Sequence, residues 1–195
     1  VWLTADHQLV VNHDETFKGV TMQNATEKVC TAVQLDNGEQ LPTLRQYLDE
    51  ARKLKTRLIL ELKGHKTPEQ ETRAVEGIVS MIKEMGLEER TEYITFSRHA
   101  TQEFIRLAPK GTPVYYLTGD VAPKELKEWG CAGPDYHFSV FKKNPGWIKE
   151  CHDLGMKVNA WTVNETPDME WLISQGVDFI TTNEPVVLQD ILKKR

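Results

Sequence analysis

The sequence predicts an α/β chain whose repeated strand–helix units belong to a (β/α)8 barrel. Two observations point there. From Lys55 onward, short runs rich in β-branched and aromatic residues alternate with stretches of helical period. Between the later runs the spacing is roughly 21 to 23 residues, one short βα unit. A third observation separates the barrel from its competitor. An open doubly wound sheet for nucleotides wants a Gly-rich turn after its first strand, and no GxGxxG occurs.

The elements read in order as follows. LVVNHD (9–14) is an apolar run that ends in a polar triplet, the pattern of a buried strand. Residues 15 to 41 have no clear period and are expected to form a loop-rich excursion in place of a helix. PTLRQYLDEARKL follows as a helix with Leu44, Tyr47, Leu48, Ala51 and Leu54 on one side. RLILELKG (57–64) is the next strand. Thr67-Pro68 opens a helix, with threonine as N-cap and proline in the first turn, where its missing N–H costs nothing. Its apolar face is Val75, Ile78, Val79, Ile82 and Met85, and Gly86 stops it. Further strands are expected at EYITFS (92–97), PVYYLT (113–118), PDYHFSV (134–140), KVNAWTV (157–163) and VDFITTN (177–183). Pro123, Pro145, Pro167 and Pro185 open helices between and after them. With LVVNHD, that makes seven strand candidates in one domain, residues 1–195. Such a barrel normally needs about 250 residues, so the domain is expected to be incomplete at its N-terminal end.

Bulk properties narrow the function. The net charge of −5 disfavours a general nucleic-acid-binding role, because phosphate backbones select basic faces. No apolar run approaches the roughly 20 residues that cross a bilayer. Cys30, Cys131 and Cys151 form no CxxC pair and read as free thiols. No signal peptide is visible, and the compartment stays open between exported or periplasmic and cytoplasmic.

Barrel enzymes of this type place catalytic groups at the carboxyl ends of strands. LVVNHD ends in His13 and Asp14. In RLILELKG, Glu61 and Lys63 are two apart, hence on one face, among the four apolar residues Leu58, Ile59, Leu60 and Leu62, where an unpartnered charge is expensive. PDYHFSV carries His137 and KVNAWTV carries Trp161. Each has a structural alternative: a turn start, a satisfied ion pair, a packed histidine, a core tryptophan. His65, His99 and His152 sit in polar surroundings and read as surface residues. A histidine, a carboxylate and a lysine at one mouth suit metal-assisted chemistry on an anionic substrate.

The order HD, a loop ending in PTL, ELK, VNAWTVN and GVDFITTNEP resembles the glycerophosphodiester phosphodiesterases. The specific parts are V-x-L-T-x-D-x-x-L-V-V-x-H-D and E-L-K. The resemblance implies a TIM-like barrel that hydrolyses glycerophosphodiesters to sn-glycerol 3-phosphate and an alcohol with a divalent cation, Ca²⁺ or Mg²⁺. It makes His13 the acid/base residue, Glu61 a metal ligand and Lys63 the lysine facing the phosphate. Trp161 falls where the family places an aromatic near the substrate, and His137 is expected as a further substrate-binding residue. Histidine suits the proton role because its ordinary pKa of about 6.5 lies near neutrality. The family's opening His-Arg-Gly strand and its Glu-x-Asp pair would fall before Val1, so the chain is expected to be the body of a longer enzyme. Asn183 in TTNEP stands where the family often has aspartate.

Two other readings compete. One is a non-catalytic barrel that binds a phosphorylated ligand or a protein partner. The other is a barrel phospholipase acting on a phosphoinositide or sphingolipid head group, which would favour an apolar rim that the sequence does not display. The expected partner is a small glycerophosphodiester, with no nucleic acid and no integral membrane segment, and the oligomeric state stays open.

Overall fold

The computed structural model describes residues 1–195, all peptide bonds trans. It divides into two compact units, Val1–Pro113 and Val114–Arg195.

The first unit opens with an antiparallel hairpin, β1 (Trp2–Leu3) and β2 (Leu9–Val10). This corrects the reading of LVVNHD as a barrel strand. Its apolar residues pair back onto Trp2 and Leu3 because the chain reverses at residues 5–8. There Thr4 N–H donates to Gln8 O (2.8 Å) and His7 takes φ +61°. Residues 15 to 41 hold more structure than their missing period suggests. A second hairpin, β3 (Thr16–Phe17) and β4 (Val20–Thr21), turns at Lys18-Gly19, both at positive φ. A short helix α1 (Glu27–Thr31) follows, capped by Thr26. Trp2, Val10, Met22, Cys30, Val33 and Leu41 close a small separate core.

Helix α2 (Leu44–Ala51) begins with a capping box from Thr43 and Gln46. It buries Leu44 and Leu48 but leaves Tyr47 and the following Leu54 exposed. Strand β5 (Leu58–Leu62) pairs in parallel with β6 (Thr91–Thr95), Leu58 opposite Thr91 and Leu62 opposite Thr95. The crossover is α3 (Pro68–Glu84), capped by Thr67 and stopped at Gly86, φ +69°. Ala74, Val75, Ile78 and Ile82 form its buried stripe, each of the larger three stabilising by about 2 kcal/mol. A Cβ at Gly77 would stand 3.1 Å from Leu9 Cδ1, so the leucine would have to give by a few tenths of an ångström. Helix α4 (Arg98–Leu107), capped by Ser97, has no counterpart in the sequence reading. Its Phe104 stacks on Tyr93 at 4.3 Å.

The second unit repeats the βα grammar. Strands β7 (Val114–Tyr116), β8 (Gly133–His137), β9 (Asn159–Trp161) and β10 (Phe179–Ile180) lie side by side in sequence order, every pair parallel. Helix α5 (Pro123–Trp129) ends in left-handed Gly130. The expected strand 134–140 stops at His137, and its last residues begin helix α6 (Phe138–Lys143). Phe141 needs that helix to reach the buried Tyr136 ring, 6.0 Å away. Helices α7 (Trp147–Asp153), α8 (Thr166–Ser174) and α9 (Pro185–Lys193) complete the unit. Gly133 has no alternative residue: a Cβ would meet Lys157 O at 1.7 Å. All three cysteines are free and buried, and burial pushes the Cys131 and Cys151 thiols up to about 12.

Candidate active site

In β5, Leu60 and Leu62 go into the core, so Glu61 and Lys63 share the opposite face. Lys63 Nζ lies 2.9 Å from Glu61 Oε1, with side chains 14% and 24% exposed. Glu61 Oε1 is buried yet accepts no hydrogen bond. The contact is therefore ionic and off-axis, and the oxygen keeps lone pairs open. Two hydrogen bonds fix this end of the strand: Val1 N donates to Glu61 O (2.6 Å), and Lys63 N–H donates to Val1 O (3.2 Å).

His13 stands beyond the end of β2, exposed, with Nδ1 2.7 Å from Asp14 Oδ1. An ionised Asp14 can only accept, which places the imidazole proton on Nδ1 and leaves the Nε2 lone pair outward. His13, Asn12, Glu61 and Lys63 line one open cavity of about 230 Å³, with Tyr47 and Leu58 on its apolar side. A larger cleft of about 1120 Å³ in the same unit runs past Glu27, Glu39, Glu50 and Arg57. Three carboxylates against one guanidinium give it the wrong sign for a phosphodiester, so the smaller cavity is the better candidate.

In the second unit, His137 ends β8 and caps α6. Its Nδ1 accepts from Ser139 N–H (3.3 Å) and sits 2.8 Å from Ser139 Oγ, leaving Nε2 as the other polar edge. Trp161 ends β9 and donates Nε1–H to Asp135 O (2.8 Å). Its ring meets His137 edge-on at 5.1 Å, and Phe138 stacks on the other side at 4.6 Å. Asn183 N–H donates to Asn164 Oδ1 (2.9 Å), tying the TTN segment to the TVN segment.

The structure thus brings His13, Glu61 and Lys63 together within the first unit and His137 with Trp161 within the second. It corrects the surface reading of His65. That imidazole is half-buried, with both ring nitrogens engaged, and burial pulls its pKa below the ordinary value. His99 is also engaged, 2.8 Å from Thr72 Oγ1. Leu3 and Thr72 are remote in sequence from these histidines, so neither contact leaves a mark on a local pattern.

The open oxygen of Glu61 suits one ligand position of a hard cation. No group of three or more His, Cys, Asp or Glu side chains stands close enough to hold one. Ca²⁺ takes six to eight oxygens and Mg²⁺ six. The residues of this chain therefore do not by themselves fit a divalent ion.

The glycerophosphoryl diester phosphodiesterase family model matches residues 1–187. Among curated proteins, a glycerophosphodiester phosphodiesterase from Caldanaerobacter subterraneus is 28% identical over the whole chain and 84% of its own length. The crystal structure of a glycerophosphodiester phosphodiesterase from Parabacteroides distasonis is 50% identical, with a TM-score of 0.97 over 99% of this chain and 81% of that one. An Oleispira antarctica phosphodiesterase, solved with its product sn-glycerol 3-phosphate, shares the fold at 22% identity and a TM-score of 0.84. The α/β, TIM-like barrel class expected from the sequence is thereby established. Enzymes of this kind generally depend on a divalent cation. With matching motifs, matching architecture and near-complete coverage, the chain belongs to the glycerophosphoryl diester phosphodiesterase family.

Proposed function

We propose that residues 1–195 act as one catalytic domain that hydrolyses glycerophosphodiesters to sn-glycerol 3-phosphate and an alcohol. The carrying observation is the shared cavity of His13, Glu61 and Lys63. A diester brings one negative charge, and more charge builds on its oxygens during attack. Lys63, held by the end of β5, offers a fixed positive charge to those oxygens. His13 moves the proton. Its Nε2 accepts a proton from the attacking water as the new P–O bond forms, then returns it to the alcohol oxygen as the old P–O bond breaks. Glu61 would offer one carboxylate oxygen to a divalent cation, Ca²⁺ or Mg²⁺, which would offset phosphate charge but which the residues of this chain do not hold by themselves. Trp161 and His137 supply a substrate-binding aromatic edge. The product bound to the Oleispira relative is the glycerol phosphate expected here.

The test is release of sn-glycerol 3-phosphate from glycerophosphocholine by the full protein, with the divalent cation titrated. His13→Ala should cut turnover by roughly 10²-fold or more. Glu61→Gln should raise the cation concentration at half-maximal activity. A protein that binds glycerol phosphate without turnover would instead support the non-catalytic reading.

A further inference from the structure

A parallel ladder alternates its bonds along two strands. Val1 N donates to Glu61 O, and Lys63 N–H donates to Val1 O. The next bond in that register would run from Leu3 N–H to Lys63 O. It is not made directly. The imidazole of His65 is inserted instead: Leu3 N–H donates to His65 Nε2 (2.8 Å), and His65 Nδ1–H donates to Lys63 O (2.7 Å). Accepting from an amide at Nε2 and donating to a carbonyl at Nδ1 fixes one neutral tautomer. The ring of residue 65 folds back on the carbonyl of residue 63. The ring is held in turn. Its tilted contact with Trp2 spans 5.5 Å, and the His65 N–H donates to Glu71 Oε1 (3.1 Å). Glu71 is buried, and its other oxygen accepts from Ser97 Oγ (2.5 Å), the N-cap of α4.

We infer that His65 is a positioning residue for hydrolysis, an imidazole spliced into the strand ladder that sets where Lys63 presents its ammonium. It does not touch the substrate. It acts by holding the carbonyl of Lys63, and so the backbone from which that side chain leaves, against Leu3. A displacement of about 1 Å in a charge-presenting group is enough to lower turnover by up to 10²-fold. The inference rests on Lys63 facing the phosphate, as proposed above.

The experiment is a double-mutant cycle in the full protein. His65→Phe keeps the ring shape and removes both bonds. It should lower kcat by about 10-fold or more with a smaller change in KM, while His65→Gln, which keeps a donor and an acceptor, recovers part of the loss. In a Lys63→Met background, His65→Phe should cost almost nothing further, because the group it positions is gone. Equal losses in both backgrounds, or unchanged activity in His65→Phe, would overturn the inference while leaving the role of Lys63 intact. Full activity in Lys63→Met alone would overturn both. If His65→Phe does not fold, the same cycle is run with His65→Gln, which should then show a kcat loss that disappears in the Lys63→Met background.

Discussion

Replacing Lys63 by methionine removes one charge and little volume, and its consequences separate stability from catalysis. Opposite charges 2.9 Å apart interact by about 6 kcal/mol at an effective dielectric of about 20. Both side chains retain some contact with water, 14% and 24% exposed. Screening at the mouth reduces the effective figure to about 3 kcal/mol, the lower end of what breaking a buried pair costs. For a chain of this size that is a fall of roughly 6 to 12 °C in Tm. Turnover should fall by about 10² to 10³, the usual effect of deleting one preorganised positive or hydrogen-bonding group at a developing anion. The double variant Glu61→Gln/Lys63→Met carries no uncompensated carboxylate, so it should recover most of the lost Tm and none of the lost activity. Calorimetry and release of sn-glycerol 3-phosphate measure the two effects on the same samples. A double variant that melts as low as Lys63→Met would refute the electrostatic account. Turnover within threefold of the parent would refute the placement of Lys63 on the phosphate.

Two other expectations concern stability. Gly133→Ala places a methyl on the Lys157 carbonyl, a 1.7 Å approach that only a shift of β8 can relieve; a loss of about 3 kcal/mol or more is expected, read as the urea midpoint. His65 has a folded pKa held below its unfolded value of about 6.5, chiefly by burial. The side-chain charges around it include Glu71 and Glu15, which favour protonation. Below the unfolded value the unfolded chain binds the extra proton, so stability is fully present above about pH 6.5 and declines as pH falls towards the folded value. Denaturant titrations at pH 7 and pH 5 should show that decline in the parent and a weaker one in His65→Phe; parallel pH profiles would remove His65 as its source.

The elements that the sequence revealed are those with local chemistry. LILEL is β-branched and leucine-rich and became β5, while Thr67-Pro68 and Gly86 bracket α3 as read. Helix α4 escaped notice because Ser97 caps it without a proline, and its core contacts reduce to Ala100, Thr101 and Phe104. LVVNHD misled because an apolar triplet before a polar end fits a parallel strand and a hairpin arm equally well. Only the partner, β1, decides between them. The Glu61–Lys63 pairing was legible because alternation puts both on one face regardless of tertiary structure. His65 was not legible, since two of its partners, Leu3 and Glu71, reach it from two other elements, β1 and α3.

The two principal groups of the cavity are supported in different ways, and that difference predicts different mutational behaviour. Lys63 is oriented by the ladder beneath it, whereas the side chain of His13 is 85% exposed and its recorded side-chain partner is Asp14, itself 70% exposed. A hydrogen bond to a carboxylate so open to water adds about 0 to 1 kcal/mol to stability. Its value must lie in the tautomer: a carboxylate on Nδ1–H keeps the Nε2 lone pair aimed outward, and an amide can flip and offer a donor instead. Asp14→Asn should therefore leave Tm within about 2 °C of the parent, given a change of no more than about 0.5 kcal/mol. Turnover should nevertheless drop by about 10-fold or more, and Asp14→Asn should cost almost nothing further in a His13→Ala background. If Asp14→Asn lowered Tm by 10 °C, or if it left turnover untouched, the pair would be a structural turn contact, and His13 would need another group to hold its tautomer.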